Sequence, residues 1–116
     1  MYLEYANDMG HMYGGGPKFS NAVRLMDKQV GRIWKAIEYR KKHFNEDWLI
    51  VITTDHGCEE KTGKGHGGPT ARQRNTWIVT NYNHLNNYAQ YYQPAIVDSM
   101  STTARFMNVT IDKPKA

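Results

Sequence analysis

The run Trp48-Leu49-Ile50-Val51-Ile52-Thr53 has no polar break before its end, and its centre is β-branched. A strand buried on both faces reads this way, and such strands belong to sheets covered by helices. The run drops straight into a polar, glycine-rich loop from Thr54 to Thr70. Thr76 to Thr80 gives a second strand, and Tyr2 to Tyr5 is short enough for a third. Between them Phe19, Val23, Met26, Val30, Ile33 and Ile37 recur at alternating steps of four and three. That is the stripe of an amphipathic helix, predicted to end near His43. Ile96, Val97, Met100, Ala104 and Met107 suggest a last short helix, followed by a polar tail with Lys113-Pro114-Lys115. The glycine-rich stretch from Ala6 to Pro17 reads as a loop, and Asn81 to Pro94 as irregular. Strand, helix, strand, strand, helix is the order of an α/β layer.

At 116 residues the chain holds one domain at most, spanning residues 1–116 with no separate second domain. It contains no apolar run long enough to span a membrane, and no secretory signal follows Met1, which leaves the compartment open. The single cysteine, Cys58, excludes an internal disulfide and a multi-cysteine zinc ribbon. Fifteen Lys and Arg against eleven Asp and Glu give a net charge of +4. The densest basic run, Arg40-Lys41-Lys42-His43, suits the last turn of a helix, where cations complement the dipole. It does not call for a nucleic-acid partner.

Chemistry concentrates where the buried strand ends. Asp55 and His56 stand at that end, and Gly57 lets the chain turn so that the two side chains can converge. Ten residues beyond, Gly65-His66-Gly67-Gly68 adds a second imidazole. Carboxylate and imidazole form a mixed donor set that zinc accepts. A surface loop with two histidines and turn glycines would read the same. The first loop adds weight to the metal reading, because Asn7-Asp8-Met9-Gly10-His11 also follows a short apolar run and also ends in histidine. If the strands before the two loops are parallel and joined by the helix, both loops open on one sheet edge. A metal site built from His11, Asp55, His56 and His66 is the result. Trp34, Trp48 and Trp77 read as packing residues, and His43 and His84 as exposed. Cys58 reads as a small half-buried side chain or an adventitious soft ligand, and Tyr91-Tyr92 as loop packing or a pocket wall.

The order Glu4-Tyr5-Ala6-Asn7-Asp8-Met9-Gly10-His11-Met12-Tyr13-Gly14, then Asp27-Lys28-Gln29-Val30-Gly31, resembles the alkaline phosphatase superfamily. Thr54-Asp55-His56-Gly57 with Gly65-His66-Gly67 carries the most specific part of that likeness. Within the superfamily the sequence is most similar to the type I phosphodiesterase / nucleotide pyrophosphatase family. Pro94-Ala95-Ile96-Val97-Asp98 through Thr103-Ala104-Arg105-Phe106 resembles that family's closing helix.

The resemblance implies a partial alkaline-phosphatase-like sheet with flanking helices, a three-layer α/β/α fragment from the C-terminal part of the catalytic domain. It implies two zinc sites, of which one or none is expected to be complete here. Asp55 and His56 would serve one zinc; His11 and His66 would serve the other, with the residue four before His11. The family has aspartate there, in Asp-x-x-Gly-His, whereas this chain has Asn7, with Asp8 one place later. Either Asn7 or Asp8 can be the ligand. The family's nucleophile and one further aspartate lie in an N-terminal part without counterpart here, so little turnover is expected from this chain alone. Neutral imidazoles are required, so zinc affinity is expected to fall with pH through the ordinary histidine range, about 6.5.

The implied substrate is a phosphodiester or nucleotide pyrophosphate. Alternatives are another superfamily ester (phosphomonoester, phosphonate or sulfate) and a non-catalytic, metal-stabilised interaction module. A sheet lacking its neighbours exposes an unpaired edge, so a homo-oligomer is expected. Family enzymes are often exported, which makes export of the parent enzyme an expectation.

Overall fold

The structure is a computed structural model and describes residues 1–111. The tail Lys113-Pro114-Lys115 lies outside the described residues. Two compact units make up the chain. One takes Met1–Trp48 and His56–Asn75; the other takes Leu49–Asp55 and the chain from Thr76.

The first unit is built on two helices, α1 (Tyr5–Tyr13) and α2 (Pro17–Phe44). α2 begins one residue after a glycine cap, with Pro17 at its first position, where a missing N–H costs nothing. It ends at Asn45, which takes the left-handed conformation (φ 52°) that closes helices. Lys41, Lys42 and His43 occupy the last turn, as the basic run predicts. Beyond the cap, Glu46 accepts hydrogen bonds from Arg40 Nε (2.7 Å) and Trp48 Nε1 (2.7 Å), fastening the chain to the helix end. Ala22 and Ile37 are the buried apolar side chains of α2.

α1 corrects the sequence reading. Tyr2 to Tyr5 forms no strand, and residues placed in a loop from Ala6 onward are helical through Tyr13. The reason is tertiary. Gly10 lowers intrinsic helicity, but it lies against the Phe19 ring of α2, which a Cβ on it would meet at an ordinary contact distance of 3.6 Å. Ala6 N–H likewise points at Met26 Sδ (3.1 Å). α1 is therefore held by its packing on α2 rather than by its own propensity.

α3 (Ala71–Arg74) closes the first unit, capped by the Thr70 hydroxyl, which accepts from Gln73 N–H.

The second unit carries the sheet. β1 (Val51–Thr53) and β2 (Ile78–Thr80) pair antiparallel, with Val51 opposite Thr80, Ile52 opposite Val79 and Thr53 opposite Ile78. The parallel pair expected between Tyr2–Tyr5 and the Trp48 run does not form, because Tyr2–Tyr5 is no strand. The apolar run is strand only in its second half. Asn81 extends the pairing by one position: its Oδ1 accepts from Ile50 N–H (2.7 Å), and its N–H donates to Ile50 O (3.3 Å). Val51 and Ile52 are half-buried, short of the burial on both faces that the run predicts.

α4 (Asn87–Tyr91) lies within the stretch read as irregular and is capped by the Asn86 side chain. α5 (Asp98–Phe106) is the expected final helix, and its Phe106 ring meets Tyr82 edge-on at 6.0 Å. Helices with a small two-stranded sheet make this a partial α/β fold. No helix among the described residues is long and apolar enough to cross a membrane.

Candidate metal centre

The first unit brings the three predicted histidines, His11, His56 and His66, together. The His56 and His66 rings stack at 3.9 Å between centroids and 27° between planes. The His11 ring lies 5.1 Å from that of His66, tilted by 54°. His66 thus neighbours both other rings.

His11 arrives on a helix, whereas His56 and His66 share the loop between β1 and α3. His11 sits in the last turn of α1. Its Nδ1 stands 2.6 Å from the Lys64 carbonyl oxygen. A carbonyl only accepts, so Nδ1 carries the proton and Nε2 keeps the lone pair a metal would use. His56 makes the same kind of contact with Gly57 O, at 3.0 Å.

The loop after His56 is pinned at both ends by Gln73. Its carbonyl accepts from Gly57 N–H (2.9 Å), and its side-chain Oε1 accepts from Gly68 N–H (2.7 Å). A Cβ on Gly57 would run into the Arg72 carbonyl oxygen, so only glycine permits this approach. Gly14, at φ 70°, likewise presses against the Thr62 carbonyl where a Cβ would not fit. That contact seats the end of α1 on the turn that precedes His66.

Asn7 and Asp8 are exposed residues of α1. At about 100° per residue, His11 lies about 40° round the helix from Asn7 and about 60° from Asp8. Both neighbour it, and helix geometry does not choose between them. Asp55, also exposed, belongs to the second unit.

The donors fit zinc in kind: imidazoles with a carboxylate or amide beside one of them. They are not drawn to one point. Stacked rings aim their nitrogens side by side, and among the described residues no group of three His, Cys, Asp or Glu is set to hold an ion.

Sequence reasoning missed the supports. Glu59, Thr62, Lys64 and Gln73 act through backbone groups or short loop bonds that carry no motif. Gly14 was visible only as one glycine of a loop. Cys58 is half-buried, as expected, with Arg72 Nη2 3.7 Å from its sulfur. Trp77 is 54% exposed, which corrects its reading as a packing residue within the described chain.

The family model for type I phosphodiesterase / nucleotide pyrophosphatase matches residues 1–104, nearly the whole chain. The chain belongs to the type I phosphodiesterase / nucleotide pyrophosphatase family. No solved structure matches it.

Proposed function

We propose that this chain supplies zinc ligands to a phosphodiesterase or nucleotide pyrophosphatase site. The observation that supports the reading is the grouping of His11, His56 and His66, with His11 held in the tautomer that leaves Nε2 for a metal. His11 and His66, with Asn7 or Asp8, would hold one ion. Asp55 and His56 are assigned to the other from the Asp-His-Gly motif.

Bound zinc supplies a Lewis acid that lowers the pKa of an attacking hydroxyl and neutralises charge on the phosphoryl group. The chain's own part is to hold neutral imidazoles in place. Lys64 O fixes the His11 proton on Nδ1, and Gln73 braces the loop between His56 and Gly68. No serine or threonine here matches the family's nucleophile, so the reading takes the nucleophile from outside these residues. Chromogenic phosphodiester with added zinc is expected to give little or no turnover. Brisk turnover would contradict this assignment of the nucleophile.

Zinc titration by calorimetry tests the binding itself. Saturable binding is expected, and its absence would overturn the reading. Self-association is proposed with it. Trp77 and Val79, on or beside β2, are 54% and 53% exposed, and a second copy could cover them. Light scattering at low micromolar concentration should show a dimer, and a clean monomer would contradict it.

A further inference from the structure

The turn before His66 is organised around a side chain that the zinc chemistry does not use. The Glu59 carboxylate accepts a hydrogen bond from the Thr62 hydroxyl. That hydroxyl oxygen accepts from Lys64 N–H at 3.2 Å. On its backbone side, Glu59 N–H donates to the Gly65 carbonyl at 2.8 Å. Gly65 backs directly onto the same side chain, since a Cβ on it would stand 3.6 Å from Glu59 Cγ and 3.9 Å from Cδ. Both ends of one residue therefore fasten the turn from 62 to 65.

The charge is engaged as well as the shape. The Thr62 hydroxyl first, then the backbone N–H groups of Thr62, Lys64 and Gly65, hold the Glu59 carboxyl below its ordinary range. Such charge-assisted bonds are stronger than neutral ones.

That turn carries what the histidines depend on. Its Lys64 carbonyl holds His11 Nδ1, and His66 follows Gly65 directly. From the other side, Gly14 presses on Thr62 O, and a Cβ on Gly63 would stand 3.1 Å from Gly15 N. The turn is gripped between Glu59 and the end of α1. Were it to loosen, His11 would lose its fixed tautomer and His66 its place beside two rings.

We propose that Glu59 is a positioning residue: by fastening the 62–65 turn it sets the Lys64 carbonyl against His11 and holds His66 beside His11 and His56. Its purpose rests on the proposed zinc function, but its geometric action does not. The Lys64 carbonyl is the outer partner that orients His11, and losing such a partner costs about tenfold to a hundredfold in metal affinity.

The test compares the whole chain with Glu59→Ala, Glu59→Gln and, as a control for charge alone, the neighbouring Glu60→Ala. Histidine-ring ¹⁵N spectra and amide exchange are recorded without metal, and zinc affinity by chelator competition. In Glu59→Ala the His11 ring should lose its Nδ1–H signature. The Lys64 and Gly65 amides should exchange at least about tenfold faster, and zinc should bind about tenfold more weakly or worse. Glu59→Gln keeps an acceptor for the Thr62 hydroxyl and should recover most of each change; it also carries the test if the alanine variant does not fold, then showing a smaller shift in the same signals. Ring and amide signals unchanged in both Glu59 variants, or matched by Glu60→Ala, would overturn the proposal. A wild-type chain that takes up no zinc would sink the functional reading, while the metal-free spectra would still decide the role of Glu59.

Discussion

His11 Nδ1 donates to the carbonyl oxygen of Lys64, 53 residues further along the chain, over 2.6 Å. One bond thus ties the end of α1 to the turn before His66. It also fixes which nitrogen of His11 keeps its lone pair.

Gly14 makes the tie possible. It sits at φ 70° with the Thr62 carbonyl where a Cβ would go. Gly14→Ala should cost about 2 kcal/mol or more in urea unfolding, from left-handed strain plus the displaced carbonyl. Gly15 has open space at its Cβ position. Gly15→Ala should therefore stay within about 0.5 kcal/mol. Equal losses in the two variants would refute the packing argument.

Gln73 braces the loop through its side chain, so Gln73→Ala should remove the bond to Gly68 N–H and keep the backbone bond to Gly57. The expected loss is about 1 kcal/mol. Amide exchange should quicken at Gly68 and not at Gly57. Faster exchange at both positions would mean that the side chain braces more than its own contact.

Acid should loosen the chain in a defined direction. The Glu46 carboxyl is held below its ordinary range, first by hydrogen bonding to Arg40 and then by the Trp48 indole. Its folded-state pKa lies below the unfolded one. The stabilisation is therefore complete above the unfolded value, about 4.3, and disappears as pH falls through the folded value. Glu59 acts with the same sign. Urea midpoints measured from pH 7 downward should fall less steeply for Glu46→Gln than for the wild type. Parallel curves would show that the Arg40–Glu46–Trp48 cluster adds no pH-dependent stability.

The long helix was legible because its stripe keeps one period from Phe19 to Ile37 and its ends carry Pro17 and a basic last turn. α5 was legible for the same reason. α1 was hidden because Gly10 and the neighbouring Asn7 and Asp8 are loop residues by propensity; the Phe19 ring that receives Gly10 is a tertiary fact. The apolar run from Trp48 promised a doubly buried strand, but periodicity does not say how many residues will find a partner, and only Val51 to Thr53 pair with β2. At the site, the histidines were readable as residue types. Their grouping depends on a carbonyl, a hydroxyl and two glycine approaches, none of which leaves a chemical mark in sequence.

On the proposed function, His66 is a ligand of the ion that His11 also holds. Metal content of the purified chain by elemental analysis, after zinc is supplied and the excess removed, tests it most directly. His66→Ala removes the ring that neighbours both others, and His43→Ala, whose ring is tilted against Tyr39 on α2, serves as control. Near-stoichiometric zinc in the wild type and the control, lost in His66→Ala, is the predicted result. No zinc in the wild type, or equal zinc in all three, would contradict the account.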